Sequence, residues 1–284
     1  MRKRMLALIL VGVLAVSMTG CGNSGGDKPK TSNGEKDSKQ YVNTFMVDEP
    51  TTLDPSLRSD TYSSEILIST MEGLIRLEQR EGKYVFMPGD AESWETSEDG
   101  TVWTFHLGED RKWSDGEPVT ADQYVYSLRR SAAPETGCPN SYFVTPILNY
   151  DAVSAGDMRP DQLGVKALDE HTLEITLTNP MPSFLESTDA SIFYPQRQDI
   201  VEKYGDQYGA DADKIVYNGP FVVSEWIHNS SIKLEKNEEY WDKDNVELSY
   251  VSYQIMSDDS ARANAFESGQ IDVFTASSQE QVQK

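Results

Sequence analysis

Two short stretches alternate with a period of two residues, and they limit the possible folds more than anything else in the chain. Trp103, Phe105 and Leu107 are interleaved with Val102, Thr104 and His106, and Leu173, Ile175 and Leu177 with Glu174, Thr176 and Thr178. Successive side chains of a strand point to opposite faces, so each stretch fits a half-buried β-strand and not a helix. Asp169-Glu170 supplies a polar turn before the second stretch, which makes Val165 to Leu177 a hairpin. Ile232 and Leu234, and then Val251, Tyr253 and Ile255, read as two more strands. Helical patterns lie between them. Thr120-Ala121-Asp122-Gln123 has the form of a capping box, followed by Tyr124, Val125 and Leu128 on one apolar face and Arg129 and Arg130 in the last turn. Ser63 to Leu77 and the shorter Asp199 to Tyr208 are the other expected helices. The fold class is therefore α/β, and 284 residues suffice for about two domains.

The two ends carry separate information. Met1-Arg2-Lys3-Arg4 is a basic start followed by the apolar run Met5 to Val16. That run is shorter than the roughly 20 apolar residues that span a bilayer, and it has the length of a secretory hydrophobic region. It ends at Ser17-Met18-Thr19-Gly20-Cys21, which resembles the bacterial lipobox, where the Cys becomes the lipid-bearing first residue of the mature chain. The alternative is an ordinary signal peptide that contains a Cys. Gly22 to Gln40 is small and polar with no large apolar residue, the composition of a flexible tether. A signal peptide over 1–20, lipidation at Cys21 and a tether to residue 40 imply an extracytoplasmic protein, lipid-anchored at the cell membrane. At the other end, Gly269 to Phe274 reads as a turn feeding a further strand, and a polar tail ends at Lys284. A sheet left without a closing element exposes edge hydrogen-bonding groups, so the chain is expected to be a fragment.

The body offers no catalytic constellation. Asp and Glu number 47 against 25 Lys and Arg, a formal net charge of −22, and removing the basic leader makes the remainder more acidic still. Such a surface repels phosphate backbones, so nucleic acid is excluded as a partner. His106, His171 and His228 stand at no metal-ligand spacing, and the two cysteines form no zinc pattern, so neither a metal nor a cofactor is expected. With Cys21 lipidated, Cys138 is the remaining thiol; it lies in a turn-like stretch and reads as structural or incidental. No nucleophile elbow or phosphate loop is present, and with so many carboxylates a close acidic pair discriminates nothing. The chain is not expected to be an enzyme. Trp94, Trp103 and Trp113 read as core residues, although aromatics lining a ligand cleft have the same signature.

Several runs resemble one family. Glu49-Pro50-Thr51-Thr52-Leu53-Asp54-Pro55 comes first, then Glu72-Gly73-Leu74-Ile75 and Ala91-Glu92-Ser93-Trp94-Glu95. The most specific extends from Trp103 to Leu107 and from Lys112-Trp113-Ser114-Asp115-Gly116-Glu117-Pro118 to Asp122. Asn218-Gly219-Pro220-Phe221, Asn237 to Trp241 and Phe266 to Asp272 follow in the same order. Together they resemble the bacterial extracellular solute-binding proteins of the oligopeptide/dipeptide-binding class, the receptors of ABC importers.

The resemblance implies a periplasmic-binding-protein-like, two-lobed cleft. Residues 41–71 and 197–284 would form a discontinuous first lobe and residues 72–196 an inserted extra domain. The closing lobe would be missing from this chain, leaving it unable to hold a ligand tightly alone. The implied function is capture of oligopeptides at the outer membrane face by a monomeric receptor that hands them to a permease and ATPase complex. Other ligands known in such a family are nickel complexes, haem, sugars and signalling peptides, and a non-transport surface scaffold is a further alternative. By alignment, Ser59, Asp60 and Thr61 occupy the segment that pairs with the peptide backbone. Asn140 falls near a position that is aromatic in close relatives. Thr275, Ala276 and Ser277 match another cleft-lining segment.

Overall fold

Residues 40–276 are described by the computed structural model, and in them the alternating stretches are strands. Strand β1 (Tyr41–Met46) leads through a long loop into helix α1 (Thr61–Thr70). Asp60 caps α1, its carboxylate accepting the Ser63 N–H at 2.7 Å. The helix is shorter than the apolar spacing to Leu77 suggests. Tertiary bonds end it: the Thr70 carbonyl accepts the Gly219 N–H at 2.9 Å. The Asn218 side chain clasps Glu72, accepting its N–H and donating to its carbonyl, both at 3.0 Å. Ile75 and Leu77 consequently belong to strand β2 (Ile75–Arg80), paired antiparallel with β3 (Lys83–Pro88).

Strands β4 (Ala91–Thr96) and β5 (Val102–Leu107) follow, then helices α2 (Ala121–Ala132) and α3 (Tyr150–Ser154) and the hairpin of β6 (Val165–Asp169) and β7 (Thr172–Thr176). These strands form one antiparallel sheet in the order β4-β5-β7-β6. Trp103, Phe105 and Leu107 and, from the hairpin, Leu173 and Ile175 are among its buried residues, as their alternation requires. Helix α2 lies against β6 and β7 with Tyr124, Val125 and Leu128 buried. Each large side chain so enclosed contributes about 1.5–3 kcal/mol of burial. The start of α2 is the capping box that the sequence predicts, with Gln123 Oε1 accepting the Thr120 N–H at 2.9 Å. The same oxygen accepts the indole N–H of fully buried Trp113 at 2.8 Å. Ser114-Asp115-Gly116 makes the expected turn, with Gly116 at φ +89°.

Helix α4 (Phe184–Ser187) precedes α5 (Gln198–Tyr204), which stops short of Tyr208 because Gly205 leaves helical geometry at φ +54°. Strands β8 (Phe221–Ile227), β9 (Ser231–Lys236) and β10 (Tyr250–Ile255) return to β1, forming a sheet in the order β1-β10-β9-β8. Strand β1 runs parallel to β10 and the other pairs are antiparallel. Helix α6 (Asp259–Glu267) is the last regular element among the described residues. The strand expected between Gly269 and Phe274 is not formed. Asp272 alone reaches the outer edge of β1, donating its N–H to the Asn43 carbonyl at 2.7 Å. Its carboxylate takes the Asn43 N–H, also at 2.7 Å. A side chain in the place of a backbone carbonyl stops the ladder from propagating.

Candidate functional site

The loop between β1 and α1 contains the first implied ligand segment, and its shape follows from one buried aspartate. Asp54 Oδ1 accepts the Ser56 N–H at 2.9 Å, and its carbonyl accepts the N–H groups of Leu57 and Arg58 at 3.1 and 3.0 Å. Arg58 is then fixed at both ends. Its carbonyl accepts Asn140 Nδ2 at 2.8 Å, while Nε donates to Ser191 Oγ at 2.7 Å and Nη1 to Ser64 Oγ at 3.0 Å.

Ser59 follows directly and is exposed. Its N–H and C=O, and the N–H of Asp60, have no hydrogen-bond partner among the described residues. The Asp60 carboxylate, by contrast, is fully engaged. It accepts from the Ser63 amide and hydroxyl, each at 2.7 Å, and from the Thr51 hydroxyl at 2.6 Å and amide at 3.3 Å. Burial alone would raise this carboxyl, but those donors outweigh it and hold Asp60 below the usual carboxylate range. Asp60 is thus an ionised cap whose side chain is committed to the fold. The segment leaves a ligand the peptide groups around Ser59, beside an Asp60 side chain that is already committed.

Of the implied site residues, the structure brings Asn140 to the Ser59 segment, through the bond to Arg58. The Asn140 amide supports the loop rather than projecting from it. Thr275 is exposed and Ala276 half-buried, and no hydrogen bond joins either to residues 59–61. Cys21, the leader, most of the tether and Ser277 lie outside the described residues. Cys138 is a free, half-buried thiol whose pKa is raised by burial, which makes it a poor nucleophile. His106 lies on β5 and His228 in the turn after β8, and among the described residues no group of three or more His, Cys, Asp or Glu is arranged to hold a metal.

Residues 85–284 match the family description "Bacterial extracellular solute-binding proteins, family 5 Middle". The chain belongs to that family. It is a family of solute-binding proteins, not of enzymes. The dipeptide-binding protein DppE of Bacillus subtilis is 36% identical over 94% of this chain and 47% of its own length. The periplasmic oligopeptide-binding protein OppA of Salmonella typhimurium is 36% identical over 94% of this chain and 48% of its own. Among solved structures, the substrate-binding domain of an oligopeptide ABC transporter from Bacillus anthracis superposes with a TM-score of 0.82 at 38% identity, covering 87% of this chain and 48% of that one. Listeria monocytogenes OppA bound to peptide gives 0.81 at 33% identity, over 87% and 49%. The chain therefore has the α/β fold of this family's binding proteins and spans about half the length of the relatives it matches.

Within this family 5 chain, sequence reasoning missed the residues that shape the loop. Arg130 donates to Asp54 through Nη1 and Nη2 at 2.7 and 2.6 Å. It was expected only to complement the C-terminal dipole of α2. Gln196, fully buried, carried no signal at all. The one available hint was Asp54 itself, an acid inside an otherwise apolar Leu-Asp-Pro run.

Proposed function

We propose that this chain belongs to the substrate-binding component of an ABC importer, which captures oligopeptides outside the membrane and delivers them to a permease and ATPase complex. The observation that carries the reading is the exposed Ser59 peptide unit. Its donor and acceptor are both free, on a loop fixed from either side, beside an Asp60 that is already satisfied. An extended peptide pairs with such a backbone through main-chain bonds, which gives affinity with little dependence on ligand sequence. Ser59, Asp60 and Thr61 are proposed to pair with the ligand main chain, with Asn140 at the border of the site and Thr275, Ala276 and Ser277 along another stretch of its wall.

Residues 41–71 and 197–284 are proposed as one lobe and residues 72–196 as an inserted domain; the sheet that draws β1 together with β8, β9 and β10 supports this division. A second lobe able to close on the ligand would have to come from the half of the relatives' length that this chain does not match. A lipid on Cys21, held off the membrane by the tether, is proposed as the anchor of a monomeric receptor. No metal or cofactor is part of this reading.

The test is mass spectrometry of the small molecules released on denaturing the full-length protein, purified without added ligand. A ladder of heterogeneous short peptides is the expected result. A single sugar, haem or nickel complex would overturn the peptide assignment.

A further inference from the structure

The Asp54–Arg130 pair is buried, with side-chain exposures of 1% and 15%, and bidentate. A pair like this is weak evidence for stability, because removing two charges from water offsets most of their attraction. Its geometry is more informative than its energy. Two parallel hydrogen bonds fix a guanidinium against a carboxylate in both distance and plane.

A ring of further bonds closes around the pair. Gln196 Oε1 accepts Arg130 Nη1 at 2.6 Å, and Gln196 Nε2 donates to the hydroxyls of Ser56 and Ser127 at 2.7 and 2.9 Å. The Ser56 and Ser131 hydroxyls share a bond of 2.8 Å. Ser56, Ser127, Ser131 and Gln196 are all fully or almost fully buried. Every bond in this ring that reaches the loop does so at Asp54 or Ser56, the residues that set the turn before Ser59. On the opposite side of the ring stand α2 and the Gln196 segment.

We infer that Arg130 is a positioning residue for the ligand-pairing segment: gripping Asp54, it lets helix α2 dictate where the free peptide groups of Ser59 stand. The inference rests on the proposal that this segment pairs with a peptide main chain. Position matters there because backbone pairing tolerates little error. A hydrogen bond needs heavy atoms within about 2.7–3.2 Å and weakens steeply as its angle closes. The Ser59 peptide groups make no bond of their own, so their alignment comes from their neighbours: Asp60, held by Thr51 and Ser63 on one side, and on the other Arg58, which the Asp54 turn presents. Arg130 acts on the loop directly at Asp54 and, by way of Gln196, at Ser56.

The variant Arg130→Lys, made in the full-length protein, keeps the charge and removes the fork. Two readouts are taken. The first is hydrogen exchange at the amides of Ser56, Leu57 and Arg58, compared with those of β9. The second is the Kd for trialanine as probe. Exchange at the three loop amides is expected to speed up about tenfold with β9 unchanged, and the trialanine Kd to rise about tenfold. Loop exchange that is unchanged, or that rises only in step with β9, would overturn the inference, because a merely stabilising pair behaves that way. If Arg130→Lys does not fold, Ser131→Ala, which removes one bond of the ring, is judged by the same exchange comparison. Failure of the wild-type protein to bind trialanine counts against the peptide reading and not against the positioning, which the exchange rates decide without ligand.

Discussion

Tyr124 on α2 donates its hydroxyl to Asp90 at 2.7 Å, and both side chains are completely enclosed. Asn218 Nδ2 donates to the same carboxylate oxygen at 2.8 Å. Burial is the largest influence on Asp90 and raises its pKa well above the ordinary value, with the nearby Glu72 adding to the rise. Tyr124, Arg111 and Asn218 counteract this only in part. The site joins the end of α1, the start of β4 and the turn before β8, so its protonation bears on how the two four-stranded sheets are held together.

Because the folded pKa of Asp90 lies above its unfolded value, the folded state holds the proton more tightly. The stability linked to this group is therefore present at acidic pH and is lost as pH rises through the folded pKa. Asp90→Asn keeps an oxygen acceptor for Tyr124 and Asn218 and removes the buried charge. Urea unfolding should show the two proteins close together near about pH 4 and the variant ahead near about pH 8. A wild type that gains on the variant with rising pH would contradict this assignment.

Gln123 serves two donors with one oxygen, the Thr120 N–H and the Trp113 indole. Gln123→Ala leaves both without a partner, at about 1–3 kcal/mol for each buried donor. Gln123→Glu restores an acceptor at neutral pH and should recover most of that loss. Chemical denaturation of the three proteins tests the order. Equal stability of the Ala and Glu variants would mean that Trp113 is held by packing alone.

The legible parts of this fold were those whose cause is local. The periods of two around Phe105 and Leu173 named their strands, and the Thr120 to Gln123 run named the start of α2. Readings failed where a distant group took over a local bond. Helix α1 stops at Thr70 because Gly219 and Asn218 capture the groups that would continue it, and neither is near in sequence. The segment after Gly269 looked like a strand, but Asp272 occupies the edge of β1 with its side chain. The candidate site was legible only through the family resemblance, which pointed to residues 59–61. The partners that shape the loop were hidden: Arg130 lies 76 positions from Asp54 and sits in a helix where a cation is expected anyway.

Two glycines should separate steric cost from conformational cost. A Cβ on Gly219 would stand 2.5 Å from the Thr70 carbonyl carbon and 2.6 Å from the Met71 nitrogen, both backbone atoms that cannot swing aside. Gly116 has φ +89° but nothing within 4 Å of such a Cβ. Gly116→Ala should cost about 1–2 kcal/mol from the left-handed backbone. Gly219→Ala should cost at least about 2 kcal/mol and also fray the end of α1, since the Gly219 to Thr70 bond must lengthen. Urea midpoints and exchange at the last amides of α1 read both effects. A Gly219→Ala protein as stable as Gly116→Ala would show that the two segments can part without loss.

His228 bridges two carboxylates, with Nδ1 at 2.6 Å from Glu49 and Nε2 at 2.9 Å from Asp211. Glu49 also accepts the Trp226 indole N–H at 2.7 Å and the Asn229 amide at 3.0 Å, and Lys214 pairs with Asp211 at 2.8 Å. The bond to Asp211 is the largest influence raising the imidazole pKa above 6.5, and Glu49 adds to it. A histidine raised on folding contributes stability that is fully present below its unfolded pKa and is lost as pH climbs through the folded one. The ring is half exposed, so salt should weaken the effect. Replacing it by His228→Gln removes the charge at every pH. The gap in urea midpoint between wild type and variant should therefore be widest near about pH 6 and shrink toward about pH 9. A gap that stays constant across that range would show that the imidazole holds Glu49 and Asp211 by hydrogen bonds alone, with no contribution from its proton.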